Sequence, residues 1–453
     1  MKRLVLGIAF LGLLGMSCSS DDDNSNENTT ADGSFTVTIE NIAPVNAFLK
    51  SGVFNTPAGD ANPGPATPGK KYEFTIDAGR SQKLSFITML AATNDAFFGP
   101  GNDGIALYDD NGNPISDDVT DQVYLWDAGT EVNEEPAVGP NTVTNQSGPN
   151  TGVVENGNVL LMSNVTNGEA FDFPEVNDII NVSVTYIEGT QFLISIEDLA
   201  NATLSTSLGD RVAPLSPGVY VVHGGTNPLF TEGEPDLGQG VENIAEDGDV
   251  TNLGNYTADN TGVTYPASPG VWVVHNDGTK PLFTEGAVDY GNGVEAIAED
   301  GNTALLGANV LSLEGVTKGA IFNTPVGSSS PGPILPGSSY AFTFDAQVGD
   351  HLSFVNMLAA TNDVFFGTSD EGIALFDANG NAISGDLTNS IYLWDVGTEV
   401  NEEPAIGPNT VTNQLDSNTG IEENGTVILL NNTNDGFTYP AVNTLLKVTI
   451  TAN

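Results

Sequence analysis

Two short stretches determine the predicted fold and site: TNDAFFG at residues 93–99 and YLWDAGTE at residues 124–131. They return almost unchanged as TNDVFFG at residues 361–367 and YLWDVGTE at residues 392–399. In each half, one acid lies beside aromatic residues, and two more acids lie four residues apart across a glycine turn. Hard cations bind clustered carboxylate oxygens, and a glycine lets the backbone fold so that neighbouring acids converge. The pattern therefore predicts one Ca²⁺ site in each half, on the rim of a β-sandwich.

These motifs also carry a family resemblance. Together with LSFITML at residues 84–90, they resemble the spondin N-terminal domain family, and the match extends over most of the chain from Ser34 onward. The resemblance implies an antiparallel β-sandwich with one bound Ca²⁺ and no known catalysis. The ligands implied by motif are six acids, of which Glu131 and Glu399 stand where animal members have Asp: Asp95, Asp127, Glu131, Asp363, Asp395 and Glu399.

Composition indicates a folded, extracytoplasmic protein. The chain has 453 residues, with 59 acids against 11 Lys and Arg, for a net charge of −48. So acidic a surface repels nucleic acid and attracts divalent cations, so no nucleic-acid partner is expected. A hydrophobic content of 39% with 21 Phe argues for packed cores rather than disorder, and 52 Gly and 25 Pro fit many short strands joined by turns.

The N-terminus has the features of an export signal. A charged start precedes an apolar segment at residues 4–16 that is too short to span a bilayer. Cys18, the only cysteine, follows directly and resembles a lipoprotein cleavage site, although an ordinary signal peptide with an incidental cysteine is the alternative. The predicted segments are a lipoprotein signal peptide at 1–18, ending at the lipidated Cys18, and a flexible acidic tether at 19–33. The acidic SSDDD at 19–23 resembles a surface-export signal, which favours a surface-exposed outer-membrane lipoprotein that meets the membrane only through its lipid anchor.

An internal repeat organises the rest of the chain. FNTP at residues 54–57 recurs at 322–325, and later landmarks keep the same spacing of 268 residues without a gap. This is the signature of a duplicated domain rather than a solenoid. Period-two alternation of apolar residues, as in FTVTIE at residues 35–40, predicts half-buried strands, and no long helical periodicity is present. The predicted fold class is all-β, with two antiparallel β-sandwiches of spondin N-terminal type.

A second, shorter repeat lies between the two copies. SPGVYVVH at residues 216–223 matches SPGVWVVH at 268–275, and each is followed by a stretch ending in AEDG that predicts a short helix, near 241–245 and 294–298. The first copy of the duplicated domain is predicted to lack the stretch that runs from SPGV to AEDG, and the second copy is predicted to contain it twice. FLISIE at 192–197 looks like the first strand of copy two. The predicted domains are sandwich 1 at residues 34–189 and sandwich 2 at 190–453, with a duplicated insert at about 216–306.

Neighbouring residues are given plainer roles. Trp126 and Trp394 are predicted to be core aromatics that anchor the site loops. Four glutamates that follow the motifs could contact the metal ligands from outside, but we favour the interpretation that they lie on the exposed surface: Glu134, Glu135, Glu402 and Glu403.

The predicted function is binding without catalysis. The sequence has no nucleophilic cysteine, no G-x-S-x-G elbow, no H-E-x-x-H and no phosphate loop. We expect a cell-surface calcium-binding lipoprotein that acts as an adhesion or ligand-binding module toward extracellular matrix, a glycan or a surface protein. The alternative is a carbohydrate-active enzyme or an accessory subunit of a surface polysaccharide system, since any two of the 59 acids could converge as a carboxylate pair. A purely structural envelope component is the third candidate.

Overall fold

The computed structural model describes residues 32–165 and 171–453. The predictions for the signal peptide, for Cys18 and for most of the tether lie outside these ranges, and the last two tether residues begin the first strand, β1 (Asp32–Asn41). Strands account for 34% of the residues and helices for 12%, which confirms the all-β prediction. None of the helices in the described ranges is long and apolar enough to cross a membrane.

The strands after β1 are short, and only brief helices interrupt them. Up to the middle of the chain they are β2 (Lys50–Phe54), β3 (Lys71–Asp77), β4 (Lys83–Leu90), β5 (Ala96–Pro100), β6 (Ile105–Ala106), β7 (Asp117–Asp118), β8 (Val123–Asp127), β9 (Leu160–Leu161), β10 (Ile180–Glu188), β11 (Gln191–Asp198), β12 (Thr203–Leu204), β13 (Arg211–Val212) and β14 (Leu215–His223). The helices in this part are α1 (Val176–Ile179), α2 (Val241–Asp247) and α3 (Thr251–Asp259).

The second part of the chain repeats this pattern. Its strands are β15 (Ala267–Asn276), β16 (Val316–Phe322), β17 (Ser339–Gln347), β18 (Asp350–Leu358), β19 (Val364–Gly367), β20 (Ile373–Ala374), β21 (Gly385–Asp386), β22 (Tyr392–Asp395), β23 (Ile428–Leu429) and β24 (Leu446–Ala452). Its helices are α4 (Val294–Asp300), α5 (Ala304–Asn309) and α6 (Val442–Leu445). Helices α2 and α4 confirm the two short helices predicted from the AEDG repeats.

These strands form two sandwiches with the same topology. In sandwich 1, a four-stranded sheet of order β3-β11-β10-β7 packs on a seven-stranded sheet of order β2-β14-β4-β5-β8-β9, with β6 beside β4. In sandwich 2, the corresponding orders are β17-β1-β24-β21 and β16-β15-β18-β19-β22-β23, with β20 beside β18. All of these strand pairs are antiparallel, as predicted.

The strand pairing does not follow the predicted boundary at residues 189/190. Strand β1, expected in sandwich 1, pairs with β17 and β24 of sandwich 2, where Phe35, Val37 and Ile39 are fully buried. Strand β11, expected to begin sandwich 2, forms a hairpin with β10 and also pairs with β3. The hairpin is favoured because the tight turn at Gly189 brings the two strands together with little loop entropy to overcome.

The segment predicted as a duplicated insert is likewise divided between the sandwiches. Strand β14 lies between β2 and β4, whose facing edges would otherwise be unpaired. Strand β15 has the same position between β16 and β18. Sandwich 1 is therefore built from residues 48–262, and sandwich 2 from residues 32–45 together with 263–453. Sandwich 1 is thus inserted into sandwich 2, between β1 and the remaining strands of sandwich 2.

The two ends of the inserted sandwich meet. Phe48 N donates to Asn260 O at 3.2 Å, and Gly262 N donates to Phe48 O at 2.9 Å. Just outside the insertion, Asn46 N donates to the Thr264 hydroxyl at 2.9 Å. Adjacent ends are what allow one domain to be inserted into another without straining either of them.

Candidate metal centre

Strand pairing brings the first two predicted acids of each site together. Asp95 immediately precedes β5, Asp127 ends β8, and Ala96 lies opposite Asp127 in the antiparallel register. In sandwich 2, Val364 likewise lies opposite Asp395, which places Asp363 beside Asp395. Both pairs lie at one end of a seven-stranded sheet, where the chain turns from strand into loop.

An aromatic anchor and a glycine turn shape each site. Trp126 is 2% exposed, its indole N–H donates to Gly99 O at 3.0 Å, and its ring lies 5.1 Å from that of Phe230. The equivalent Trp394 donates to Thr368 O at 3.1 Å, so the prediction of core aromatics is confirmed. Gly129, two residues after Asp127, has φ of +69°, a conformation that residues with a Cβ rarely adopt.

The paired aspartates of sandwich 1 are buried and only partly hydrogen-bonded. Asp95 is 0% exposed and Asp127 is 3% exposed. Asp127 accepts bonds from Gly129 N at 2.6 Å and from Asn133 Nδ2 at 2.5 Å. Asp95 Oδ2 accepts from Glu131 N at 3.2 Å, whereas Asp95 Oδ1 has no partner.

The sandwich 2 site is more completely bonded. Asp363 Oδ2 accepts three backbone N–H groups, each at 3.1 Å, from Gly397, Thr398 and Glu399. The Thr398 hydroxyl lies 3.0 Å from Asp363 Oδ1 and 2.7 Å from Glu299 Oε1. In sandwich 1 the equivalent Thr130 hydroxyl interacts with Glu246 but makes no hydrogen bond of normal length and angle. The two copies therefore share one architecture and differ in how fully its polar atoms are satisfied.

The third predicted acid of each site is engaged with a neighbouring loop. Glu131 accepts bonds from Gly152 N at 2.7 Å and from Asn94 Nδ2 at 3.3 Å, one on each carboxylate oxygen. Glu399 does the same with Gly420 N at 2.8 Å and Asn362 Nδ2 at 3.1 Å. The structure thus brings Asp95 and Asp127 together but leaves Glu131 with fewer free lone pairs for an ion.

Sequence reasoning missed a fourth acid in each site. Glu246, on α2, and Glu299, on α4, are each 2% exposed. Neither carboxylate oxygen of Glu246 has a hydrogen-bond partner, and Glu299 Oε2 has none either. Both glutamates lie in the AEDG that ends each short helix, directly after apolar residues that pack on the sheet. The sequence did offer one indication of these acids, because a glutamate occupies the same position, directly after apolar residues, in both predicted helices.

Burial makes these carboxyl groups weak acids. It raises the pKa of Asp95 well above its ordinary value, and repulsion from Asp127 and Glu246 adds to the effect. Burial and repulsion from Asp395 act in the same direction on the pKa of Asp363. Burial also raises the pKa of Glu246 and of Glu299 to about 8. With a pKa of about 8, Glu246 and Glu299 are largely protonated near neutral pH when no cation is bound, because burial removes the hydration of the charged form.

The donor set fits a hard cation, although the side chains are not arranged around one. In the described ranges, no group of three or more His, Cys, Asp or Glu side chains has a geometry that could hold a metal ion. The unpartnered oxygens of Asp95 and Glu246 nevertheless supply the all-oxygen chemistry that Ca²⁺ prefers. Buried polar atoms without partners are uncommon in folded proteins, and each one calls for an explanation such as an ion.

The comparisons with known proteins leave the family open. No protein-family model matches the chain, and no curated protein matches its sequence. The spondin resemblance therefore stays a prediction from the motifs.

Proposed function

We propose that the protein is a cell-surface calcium-binding lipoprotein, in which each sandwich holds one Ca²⁺ and presents its rim loops to an extracellular matrix, glycan or surface protein ligand. One observation supports this most strongly. The same buried aspartate pair, with a buried glutamate beside it, occurs in both sandwiches and includes carboxylate oxygens without partners. Catalysis is no part of the proposal.

The chain's own residues would hold the ion from three elements. Asp95 and Asp127 come from adjacent strands, and Glu246 comes from the helix packed on the outer face of the sheet. In sandwich 2 the set is Asp363, Asp395 and Glu299. Glu131 and Glu399, implied by the family motif, stand next to these sets through their backbone bonds to Asp95 and Asp363. Bound Ca²⁺ would supply the positive charge that lets the buried acids ionise together.

This arrangement would link ion binding to loop order. Asp127 holds Asn133, and Glu131 holds Gly152, so the acids fasten both ends of the loop that follows β8. Loss of the ion would let the acids take up protons, which weakens the hydrogen bonds that Asp127 and Glu131 accept and loosens this loop first. The loop is therefore the part of the molecule whose contacts we expect to depend on calcium.

The role of the glutamate that the motif did not include can be tested directly. We expect Glu246→Gln to weaken Ca²⁺ binding by sandwich 1 about tenfold or more, since an amide carries no charge to balance the ion. Glu242→Gln is the matched control, because Glu242 lies on the same helix and bonds Asn150 at the surface. Calorimetric titration compares the two variants, and equal affinities would remove Glu246 from the site.

The proposed anchor would attach the protein through sandwich 2. Cys18 lies 14 residues before Asp32, where β1 enters sandwich 2. Sandwich 2 would then be the sandwich that is joined directly to the tether, and sandwich 1 would be attached only through sandwich 2. Cys18→Ser should move the protein from the detergent phase to the aqueous phase in phase partitioning, because acyl chains on this thiol would be the anchor. If wild type and variant both stay in the aqueous phase, the lipoprotein proposal fails.

A further inference from the structure

The two sandwiches contact each other through an arginine turn. The turn at residues 79–82 of sandwich 1, here named the arginine turn, sits on the loop at residues 402–413 of sandwich 2, here named the covered loop. Arg80 Nη1 donates to Pro408 O at 2.7 Å and to Asn413 O at 3.1 Å. One guanidinium thus binds two backbone carbonyl groups, which gives the contact a defined geometry.

The rest of the turn is closely fitted to the covered loop. Ser81 donates to Asn413 Oδ1 from both its backbone N, at 3.0 Å, and its hydroxyl, at 2.7 Å. Gln82 Nε2 donates to Ala405 O at 3.0 Å. A Cβ at Gly79 would overlap the Asn413 side chain, so the close approach requires glycine at this position.

Sandwich 1 has an equivalent loop at residues 134–145, here named the open loop, and its shape is already formed. The Asn413 amide fixes the covered loop by donating to Ala405 O at 2.8 Å, Gly407 O at 3.2 Å and Thr410 Oγ1 at 3.1 Å. The Asn145 amide fixes the open loop through the same three bonds, to Ala137 O at 3.3 Å, Gly139 O at 3.0 Å and Thr142 Oγ1 at 3.1 Å.

The open loop is uncovered where its counterpart is buried. Asn145 and Pro140 are exposed and Val138 is half-buried, whereas Ile406, the counterpart of Val138, is 1% exposed. Among the described residues, none donates a hydrogen bond to Asn145 Oδ1 or to Pro140 O, although the equivalent atoms of the covered loop accept Ser81 and Arg80.

Within the described residues, the chain offers no second turn for Pro140 O and Asn145 Oδ1. The turn between β12 and β13 reaches the open loop only at Glu135, whose carboxylate accepts two hydrogen bonds from Ser207. The turn of sandwich 2 that corresponds to residues 79–82 is QVGD at residues 347–350 and has no arginine. Arg80 of a second copy would already be bound within its own chain. The net charge of −48 favours a basic partner over another copy of this acidic chain.

We propose that the open loop is a docking site for an arginine-bearing β-turn of another protein, bound as the covered loop binds the arginine turn. The partner's guanidinium donates to Pro140 O and Asn145 O, and its next residue donates to Asn145 Oδ1. Because the loop is formed in advance, little ordering entropy opposes binding. The inference goes beyond the calcium-binding role and does not depend on a bound ion.

The probe for this site is a cyclic, fluorescently labelled peptide of residues 76–85, IDAGRSQKLS, titrated into the full chain. We expect saturable binding by fluorescence polarisation, and loss of binding when the arginine of the peptide is replaced by alanine. Val138→Lys, on the open loop, should weaken binding about tenfold, which corresponds to a loss of about 1.4 kcal/mol, because the lysine replaces an apolar contact and repels the guanidinium. A melting curve shows whether this variant remains folded. Replacing the serine after the arginine of the peptide by alanine, which removes one donor to Asn145 Oδ1 and leaves the open loop unchanged, provides a second test.

Three results would overturn the proposal. They are an absence of saturable binding, binding unaffected by both Val138→Lys and the serine-to-alanine change in the peptide, and binding that survives removal of the arginine. Sedimentation of the full chain provides a fourth: self-association that Val138→Lys abolishes would make a second copy the occupant rather than a different protein.

Discussion

The two sandwiches place different residues at one buried position, where strand β1 or its counterpart β11 ends. Asn41 is 1% exposed, and its amide donates to Tyr265 O at 2.9 Å and to Ile334 O at 3.0 Å, while its oxygen accepts Ala43 N at 3.0 Å. Asp198 is 0% exposed, and neither of its carboxylate oxygens has a hydrogen-bond partner.

This difference shows that the same strand topology can form whether or not the buried polar side chain at this position is hydrogen-bonded. An amide can donate two hydrogen bonds to the surrounding carbonyl groups, whereas an ionised carboxylate can donate none. Burial raises the pKa of Asp198 to about 8 because the charged form loses its hydration. The two sandwiches therefore have the same fold while sandwich 1 carries a titratable weak point that sandwich 2 lacks.

The largest expected effect comes from the strand that ends at Asn41. Deleting residues 32–41 should unfold sandwich 2 and leave sandwich 1 folded, because β1 lies between β17 and β24. Burial of three apolar side chains contributes about 1.5–3 kcal/mol each, and pairing on both edges is lost as well. Together these losses approach the whole stability of a typical domain, about 5–15 kcal/mol.

Scanning calorimetry would show this as the loss of one of two unfolding transitions. As controls, the fragment 47–262 should unfold cooperatively by itself, and residues 32–45 joined directly to 263–453 should do the same. Cooperative unfolding of the fragment 263–453, which lacks both β1 and the similar strand β11, would contradict the nested arrangement.

Exchanging the residues at the compared position should have opposite effects in the two sandwiches. Asn41→Asp should destabilise sandwich 2 by about 3 kcal/mol at pH 7, because two buried carbonyl groups lose their donor. Asp198→Asn should stabilise sandwich 1, since it restores an amide where sandwich 2 has one. Calorimetric midpoints of the two transitions measure both effects, and a loss of stability in Asp198→Asn would contradict this account.

The Asp198 exchange should also alter the pH dependence. Its folded pKa of about 8 lies above the ordinary value of 3.8, so the folded state binds more protons than the unfolded state between these values. The contribution of Asp198 to the free energy of unfolding of sandwich 1 is therefore most favourable at acidic pH, and it is lost as the pH rises toward 8. We expect the gain from Asp198→Asn to be larger at pH 8 than at pH 5, and an equal gain at both pH values would argue against a protonated Asp198.

The smallest expected effect concerns the threonines of the two acid sites. Thr398→Val should cost sandwich 2 about 1 kcal/mol in the absence of calcium, because its hydroxyl bridges Glu299 and Asp363. Thr130→Val should cost sandwich 1 clearly less, since the Thr130 hydroxyl makes no hydrogen bond of normal geometry and only its interaction with Glu246 is lost. Denaturant midpoints compare the two variants, and equal losses would mean that the sites are satisfied alike.

Local sequence patterns predicted local structure well. Alternation at residues 35–40 predicted a strand, the AEDG repeats predicted α2 and α4, and the tryptophans proved to be buried anchors. The two motifs predicted that Asp95 and Asp127 lie close together. Asp95 precedes β5, Asp127 ends the neighbouring strand β8, and the register of these two strands brings the acids together.

Assignment of strands to sandwiches could not be predicted in the same way. Strands β1 and β11 have nearly the same pattern, FTVTIEN and FLISIED, so either could fill either sheet. Which strand joins which sandwich depends on the tight hairpin between β10 and β11 and on the pairing of β14 with the edge of β4. Both are properties of the assembled sheets. Glu246 was missed for a similar reason, because its place in the site depends on how α2 packs.

The most direct test of the central claim is the calcium stoichiometry of the full chain at pH 7.5, measured by equilibrium dialysis in excess NaCl. Monovalent salt screens the diffuse repulsion but does not bridge buried carboxylates, so specific binding should persist. Two ions per chain are expected for wild type, one for Asp95→Asn, one for Asp363→Asn and none for the double variant. A wild type that binds no calcium, or single variants that still bind two ions with unchanged affinity, would contradict the assignment of these acid clusters as calcium sites.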